Sequence, residues 1–274
     1  MIELPEALVL AEQISNTLTG KRIVDAVANA SPHKFAWYYG DPAEYGLRLT
    51  GRHIEGAVAM GGRVRVSAEG MELGFFDGAN LRYYAPDDVK PTKHQLLITF
   101  DDNSALAATI AMYGGLQCYP AGALDEDGYY MAAANAVSPL SDGFFEVYQA
   151  LFDAKGLKMS AKAFLATQQR IPGLGNGVLH DILLNSGIHP KTKMNALDNQ
   201  KRDDLFRAII GTLSDMTRLV GRDTERDLFG HLGGYKVMLS RNNTTLTCPH
   251  CGGRVHKESY MGGSIYYCEI CQQV

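Results

Sequence analysis

The stretch that decides the fold covers residues 171–181 and reads IPGLGNGVLHD. Gly173 and Gly175 permit a tight turn that residues with a β-carbon would resist. Asn176 is a good N-cap for the apolar helix that follows over residues 178–184 and that should end at Asn185-Ser186-Gly187. Glycines at a helix N-terminus leave backbone N–H groups free to face an anion, and phosphate is the natural anion for such a turn. A plain helix–hairpin connection would show the same pattern, so the rest of the chain has to decide.

The bulk composition indicates a globular protein with more than one domain. The chain has 274 residues, of which 46% are hydrophobic and 20% are charged, and its formal net charge is −4. These values are ordinary for globular proteins, and the length allows two or more domains. The chain has no apolar run near the roughly 20 residues that a membrane span needs. Its first residues also lack the pattern of a signal peptide. We therefore expect a cytoplasmic protein without a membrane partner.

Positive charge concentrates around the glycine stretch, although the whole chain is slightly acidic. Between residues 155 and 202 the acidic residues are Asp181 and Asp198, and the basic ones are Lys155, Lys158, Lys162, Arg170, Lys191, Lys193, Lys201 and Arg202. Local basicity is what phosphate binding requires. A solvated helix face would have a similar composition, so this signal supports a nucleic-acid surface only in combination with others.

The order of sequence patterns divides the chain into a β-rich first half and a helical second half. An opening helix is followed, over residues 22–119, by short segments of β character that Gly, Asp and Asn turns separate. This pattern predicts an antiparallel sandwich or a flattened barrel. Residues 126–141 are typical of a linker, and apolar residues recur at helical spacing from residue 142 onward.

Two local features of the β-rich half carry predictions of their own. Trp37, Tyr38 and Tyr39 form an aromatic cluster, for which packing in the core is a simpler explanation than base stacking. The pair Asp77-Gly78 is typical of a hairpin turn between two strands.

The cysteines predict a metal site near the C-terminus. Two Cys-x-x-Cys pairs are separated by sixteen residues, and their cysteines are Cys248, Cys251, Cys268 and Cys271. Two such pairs at this separation fit a zinc ribbon in which four thiolates surround one ion tetrahedrally, with a hairpin between the pairs. Because protein sulfur fills all four positions, the zinc would be structural. Folding of so short a segment would be coupled to metal binding.

The order of these modules resembles the formamidopyrimidine-DNA glycosylase and endonuclease VIII family. Members of that family begin Met-Pro-Glu-Leu-Pro-Glu, and residues 1–6 of this chain read MIELPE. The family's Lys-x-x-Leu pattern falls on Lys162 and Leu165, and its Gly-x-Gly-Asn pattern falls on residues 173–176. Together with the four-cysteine ribbon, the similarity covers essentially the whole chain.

The resemblance implies an α+β multidomain fold. An N-terminal β-sandwich domain would span residues 1–125, a linker residues 126–141, a helix–two-turn–helix domain residues 142–237 and a zinc ribbon residues 238–274. DNA would lie in the cleft between the two halves, with the damaged base flipped out of the stack. We expect a monomer that is associated with the nucleoid.

The resemblance also implies roles for single residues. The DNA backbone would be contacted by Lys162, Gly173, Gly175, Asn176 and Tyr235, although packing explains Tyr235 equally well. Glu3 would be the acid/base group beside the sugar. The family's nucleophile is the amine of a proline that is exposed when Met1 is removed, and Ile2 stands at that position here. An Ile2 amine could form the same Schiff base, but a bulky residue at position 2 usually blocks removal of Met1.

Three further features of the family have no counterpart in this chain. The family's sheet lysine falls at or near Gly62, where Arg63 is the nearest substitute, and its ribbon arginine falls at Gly263. The wedge that fills the space left by the flipped base falls within residues 112–115, where Tyr113 is the nearest substitute. The chain therefore combines retained phosphate-binding and zinc motifs with an altered nucleophile and wedge.

Three functions are open on these grounds. The first is a base-excision-repair DNA glycosylase, with or without AP-lyase activity, in which an N-terminal amine or a water activated by Glu3 attacks the sugar. The second is a catalytically silent protein that binds damaged or distorted DNA. The third is an RNA- or ribosome-associated protein, because similar helical modules and cysteine ribbons also bind structured RNA. The retained Glu3 favours the enzyme, and the lost proline and lysine count against it.

Overall fold

The chain opens with a helix that is packed into the protein core. The computed structural model describes residues 1–124, 127–242 and 247–273. Helix α1 (Leu4–Leu18) follows the N-cap residue Glu3, whose backbone N–H donates to the Glu6 carboxylate at 3.3 Å. Its buried side chains include Leu10 and Ile14. This helix agrees with the one expected from the spacing of apolar residues.

Seven strands form one sheet in the first half of the chain. They are β1 (Ile23–Ala28), β2 (Ala36–Tyr38), β3 (Gly56–Met60), β4 (Arg63–Ala68), β5 (Met71–Tyr84), β6 (Leu96–Phe100) and β7 (Ala105–Pro120), with the short helix α2 (Tyr45–Leu49) between β2 and β3. The strand order is β1-β6-β7-β5-β4-β3, and all these neighbours are antiparallel. Strand β2 pairs with β7 in the parallel direction.

The long strands β5 and β7 join two groups of strands. Their pairing shifts register between Asp77 and Ala79. On one side of this shift, β5 pairs with β4, and β4 pairs with β3. On the same side, the C-terminal part of β7 pairs with β2. Beyond it, the first part of β7 pairs with β6, which pairs with β1. Buried side chains from both groups and from α1 form a single core, as the prediction of two packed β layers requires.

The predicted hairpin turn at Asp77-Gly78 is wrong. The chain continues through these residues as β5, and Gly78 alone lies opposite residues 111–113 of β7, which form a bulge. Asp77 has a φ of 56°, and its carbonyl accepts a 2.7 Å hydrogen bond from the Ile2 N–H. An Asp-Gly pair supports a bulge as readily as a turn. The bulge binds the N-terminus to the middle of the sheet.

The prediction of a buried Trp37 is also wrong. Alternate residues of a strand point to opposite faces, and Trp37 points outward while Tyr38 packs against the core. As a result the Trp37 side chain is 70% exposed. Tyr39 packs in a smaller cluster with Tyr119.

The second half is helical, as predicted. Its helices are α3 (Gly128–Ala134), α4 (Phe144–Ala150), α5 (Ala161–Ala166), α6 (Asn176–Ser186) and α7 (Asn199–Arg218). Buried side chains of α4 to α7 form a second core, which Leu4 of α1 joins. Helix α3 falls within the segment predicted as a linker, so that segment contains regular structure. The predicted domain boundary at residues 125 and 126 lies outside the described residues.

The C-terminal segment forms the predicted hairpin. Strands β8 (Val255–Tyr260) and β9 (Gly263–Cys268) pair antiparallel, and Tyr266 of β9 packs edge-on against His180 of α6 at 5.3 Å between ring centroids. The predicted end of the ribbon, residue 274, lies outside the described part of the chain. Within the described part, no helix combines the length and the apolar character that crossing a bilayer would take.

Candidate nucleic-acid interface

A cleft of about 440 Å³ lies where the two halves of the chain and the C-terminal hairpin meet. The N-terminus, the turn before α6 and the tip of the β8–β9 hairpin all contribute to its walls. The lining residues from these parts include Met1, Ile2, Glu3, Lys162, Gly173, Gly175, Asn176 and Gly263. Strands β4 and β5 add Arg63, Phe76 and Asp77. The cleft therefore gathers most of the residues that sequence analysis selected.

The N-terminus of α6 binds the carboxylate of Glu3. The backbone N–H groups of Gly177 and Val178 donate to this carboxylate at 2.8 and 2.9 Å, and that of Gly175 donates at 3.3 Å. The unpaired amides and positive dipole end of a helix start suit such an anion. The expectation that these amides face a phosphate needs correction, because the chain supplies the anion itself. Gly173 and Gly175 line the cleft, and their contact with DNA stays a prediction.

The turn before α6 needs glycines for reasons of space. A Cβ atom on Gly175 would lie 2.7 Å from Glu3 Oε1, and a Cβ on Gly177 would lie 1.4 Å from Arg222 Nη1. Gly175 is also the N-cap of the helix, so Asn176 is the first helical residue and not the cap that was predicted. At the other end the helix stops as expected at Gly187, which has a φ of 65°.

Glu3 belongs to a buried cluster with Glu6 and Arg222. The exposed fractions of these residues are 4%, 5% and 2%. Arg222 donates from Nε and Nη2 to the two Glu6 oxygens at 2.8 and 2.7 Å, and its Nη1 lies 3.6 Å from Glu3 Oε1. Arg222 could not be selected from the sequence, because 216 residues separate it from Glu6 and it belongs to no recognisable motif.

The environment of Glu3 shifts its acidity in the direction that proton transfer needs. Burial raises the pKa of Glu3, and this effect outweighs the opposing effects of Arg222 and of the Gly177 and Val178 N–H groups. A raised carboxyl pKa moves the group toward the neutral range in which general acid–base catalysis works best. Glu3 is therefore a chemically suitable acid/base group at the wall of the cleft.

The N-terminal residues lie at the same cleft. Ile2 is 6% exposed, and its N–H donates to the Asp77 carbonyl. The amine of Met1 forms a 2.6 Å ion pair with Glu225. Met1 also lines a second cavity of about 340 Å³ on the other side of the N-terminus. The Met1 amine is therefore held by Glu225, which lines that second cavity, whereas Ile2, the neighbour of Glu3 in the chain, lines the cleft and would carry the amine after removal of Met1.

Lys162 and Asn176 meet at the tip of the β8–β9 hairpin. Lys162 Nζ donates to the Tyr260 carbonyl at 2.6 Å, and Asn176 Nδ2 donates to the Ser264 carbonyl at 3.4 Å. A Cβ on Gly263 would lie 2.9 Å from Asn176 Nδ2 and 3.5 Å from Lys162 Nζ. Asn176 is exposed, whereas Lys162 is 4% exposed and burial lowers its pKa. Both side chains line the cleft, and phosphate binding by them stays a prediction.

Tyr235 occupies a different environment from the other predicted DNA contacts. It lies in the helical core with an exposed fraction of 9%, and its hydroxyl is hydrogen-bonded to Asp181. Asp181 also accepts hydrogen bonds from the Met238 and Leu239 N–H groups at 3.0 and 2.9 Å. This position favours the packing role, and a phosphate contact by Tyr235 stays a prediction.

The turn at the position of the family's sheet lysine makes close backbone contacts, and the segment at the position of the family's wedge forms a bulge. A Cβ on Gly61 would lie 2.7 Å from Pro172 Cβ, and a Cβ on Gly62 would lie 3.2 Å from the Ile2 carbonyl oxygen. The β3–β4 turn therefore packs directly on the turn before α6. In the bulge of β7, Met112 is 63% exposed and Tyr113 is 44% exposed, and Tyr113 lines the cleft.

The four C-terminal cysteines lie close enough together to bind one metal ion. All four Sγ atoms lie within 4.8 Å of one another. The Cys248–Cys271 and Cys251–Cys268 distances are 3.8 and 3.5 Å. Thiolates at about 2.3 Å from a tetrahedral zinc ion are about 3.8 Å apart. The cluster therefore has the dimensions of a four-thiolate metal site.

Comparison with known proteins identifies the family. A formamidopyrimidine-DNA glycosylase from Lactobacillus delbrueckii subsp. bulgaricus is 30% identical over 196 residues, which are 68% of this chain and 69% of that protein. The chain belongs to the formamidopyrimidine-DNA glycosylase family. A member from Rhodopseudomonas palustris is 26% identical over 303 residues and is matched over 100% of both chains. No protein-family model matches the chain.

Solved structures of this family share the fold. The Lactococcus lactis Fpg in complex with DNA that contains an abasic site has a TM-score of 0.82 at 20% identity, over 99% of this chain and 100% of that one. The MutM (Fpg) protein from Thermus thermophilus has a TM-score of 0.79 at 21% identity, over 98% of both chains. The fold class predicted from the sequence is therefore confirmed, with an antiparallel sheet first, helices in the middle and the four cysteines close together at the end.

Proposed function

We propose that the protein is a DNA glycosylase of base-excision repair that acts on damaged bases in duplex DNA. The observation that carries this proposal is the Glu3 carboxylate, which is buried at the start of α6 and lies at the wall of the cleft. Membership of a family of DNA glycosylases supports it, and so does the likeness to an Fpg in complex with abasic-site DNA. Association with the nucleoid would follow from DNA binding.

The cleft offers contacts for a DNA strand on two sides. Lys162 and Asn176 would bind backbone phosphates from the helical side, and the Gly173 and Gly175 backbones would allow close approach of the strand. Arg63 supplies positive charge from the sheet side. Charge-assisted hydrogen bonds to phosphate are strong but carry no sequence information. These residues would therefore position the strand so that one sugar reaches Glu3.

Two chemical routes are compatible with this arrangement. In the first, an unprotonated N-terminal amine attacks the sugar carbon that bears the damaged base. The bond to the base breaks, the base leaves with a proton, and Glu3 transfers protons between the amine, the sugar and the base. In the second, Glu3 takes a proton from a water that attacks the same carbon. In the first route the sugar ring then opens: the C1′–O4′ bond breaks, O4′ takes a proton and the nitrogen loses one, which gives a Schiff base that supports AP-lyase activity. In the second route a hydroxyl group replaces the base and no Schiff base forms.

The first route requires a free amine at the cleft. With Met1 retained, that amine would have to leave its ion pair with Glu225. With Met1 removed, the Ile2 nitrogen would carry the reaction at the place where it now donates to Asp77. The intact mass of the purified protein identifies which residue comes first.

We also propose that the four cysteines hold one structural zinc ion. The donor set of four thiolates is typical of zinc, and all ligand positions come from the protein, which leaves none for a substrate. The ion would stabilise the β8–β9 hairpin, whose tip contacts Lys162 and Asn176. Zinc would thus support DNA binding through the hairpin and take no part in the chemistry.

The test of the proposed function is release of a damaged base. Duplexes that each contain one oxidised, ring-opened or deaminated base are incubated with the protein, and an undamaged duplex of the same sequence is the control. We expect base release from at least one damaged duplex and none from the control. Borohydride added during the reaction traps a covalent adduct only in the amine route, and peptide mass spectrometry then places the adduct on residue 1 or 2. Absence of base release across the panel would contradict the proposal.

A further inference from the structure

The sheet face beside the cleft carries a row of aromatic and cationic side chains. The strand register sets Arg63 opposite Phe76, Phe76 opposite Gly115, and Gly115 opposite Trp37. Residues directly opposite on paired strands point to the same face of the sheet. We call these four residues the Trp37 row. Because Arg63 and Phe76 line the cleft, the row continues from the cleft wall onto the outer surface.

Neighbouring members of the Trp37 row at the cleft end lie in direct contact, with Arg63 9% exposed. The Arg63 guanidinium lies 4.2 Å from the centre of the Phe76 ring. The Phe76 ring extends over Gly115, where a Cβ atom would come within 1.8 Å of it. Trp37 follows at two strand spacings from Phe76, which is about 10 Å. Because Gly115 has no side chain, the Phe76 ring can extend across β7 toward Trp37.

Trp37 lies on a part of the sheet face that is exposed, whereas a neighbouring part of the same face is covered. Nearer the end of the sheet, α3 covers the same face, and Met60 and Tyr119 are buried there against Tyr130. No residue in the described part of the chain covers Trp37 in this way, so it is 70% exposed, and the adjacent Phe35 is 51% exposed. Two exposed aromatic side chains on the face that also carries the partly exposed Phe76 form an apolar patch of the kind that marks an interaction site.

We propose that the Trp37 row is a stacking platform for an unpaired base of the DNA that is bound in the cleft. The proposal rests on the proposed function, because it takes the occupant of the cleft to be DNA. Aromatic rings stack on any base, and positive charge beside them attracts the phosphates that flank it. Arg63 at one end of the row and Lys34, whose Nζ lies 5.2 Å from the Phe35 ring centre, supply that charge. Continuity with the cleft lets one strand occupy both sites.

Tryptophan fluorescence gives a direct test, because Trp37 is the single tryptophan of the chain. The probes are two unlabelled duplexes of the same sequence, one fully paired and one with a single unpaired adenine. Anisotropy of dye-labelled versions measures binding separately. We expect the unpaired adenine to quench tryptophan emission at saturation, and the paired duplex to leave it unchanged at equal occupancy.

Variants separate stacking from general contact. Stacking is worth about 1–3 kcal/mol per base, so Trp37→Ala should weaken binding to the bulged duplex about 5- to 150-fold. Binding to the paired duplex should stay unchanged, and Trp37→Phe should restore most of the loss. Phe145→Ala is the matched control, because Phe145 is 46% exposed but lies on α4.

The outcomes separate the stacking platform from the proposed glycosylase activity. Saturation in anisotropy without any change in emission would overturn the platform and leave the glycosylase proposal standing. Equal losses for both duplexes in Trp37→Ala, or an equal loss in Phe145→Ala, would also overturn the platform. No binding of either duplex would overturn both proposals. Quenching by the bulged duplex without base release from any lesion would support the platform and contradict the enzyme.

Discussion

Replacement of Gly177 by alanine tests the packing around Glu3. Gly177 lies in the first turn of α6, where alanine is normally preferred to glycine by about 1 kcal/mol. Here the new Cβ would lie 1.4 Å from Arg222 Nη1 and 2.7 Å from Glu3 Oε1. Arg222 would have to leave its place between the two buried carboxylates. Breaking a buried ion pair costs about 3–5 kcal/mol, so we expect a net destabilisation of about 2–4 kcal/mol.

A second glycine of the chain provides the matched control. Gly211 lies within α7, is exposed, and has no atom within 4 Å of the position of its Cβ. Gly211→Ala should therefore stabilise the protein by up to about 1 kcal/mol. Urea unfolding of both variants and of the unchanged protein measures the difference as a shift in midpoint. The reasoning is refuted if Gly177→Ala is as stable as Gly211→Ala.

Three further predictions concern phosphate binding, the metal and pH. Lys162→Ala and Asn176→Ala should each weaken DNA binding about equally for all sequences and reduce its salt dependence; unchanged binding isotherms at several salt concentrations would remove both from the phosphate site. Cys268→Ser should lower the zinc content of the purified protein and destabilise the C-terminal hairpin, whereas stoichiometric zinc by elemental analysis would contradict a four-thiolate site. Burial lowers the pKa of His180 to about 4, below its value of about 6.5 in the unfolded chain. The unfolded state therefore binds the proton more tightly, and stability is lost as the pH falls from 6.5 toward 4, by up to about 3 kcal/mol. His180→Gln should lack this part of the pH dependence in urea unfolding, and identical profiles would contradict it.

The features that were predicted correctly depend on short-range patterns. The spacing within each Cys-x-x-Cys pair predicted that its two cysteines bind one metal ion, and the four sulfur atoms do lie close together in the structure. The end of α6 at Gly187 follows from the conformational freedom of glycine alone. Alternation and turn residues likewise located most of the strands. In each case the residues that specify the structure are neighbours in the sequence.

The features that sequence analysis missed depend on contacts between distant parts of the chain. The glycines before α6 correctly indicated that backbone N–H groups at the start of this helix bind an anion. Whether that anion is a phosphate or the Glu3 carboxylate depends on how α1 packs against α6. The same packing places Arg222 between the buried carboxylates of Glu3 and Glu6. The bulge at Asp77 forms because the partner strand β7 carries extra residues, which the sequence of β5 does not reveal. Trp37 is exposed because β2 is an added parallel strand, and its short sequence does not show which face is covered.

The role of Glu3 in base release is tested most directly by a single-turnover rate. Glu3→Gln keeps the size of the side chain, and Glu12→Gln on the exposed face of α1 is the control. With DNA at saturation, we expect Glu3→Gln to slow base release about 100-fold or more, while DNA affinity and the Glu12→Gln rate stay near those of the unchanged protein. Base release by Glu3→Gln at the unchanged rate would contradict an acid/base role for Glu3.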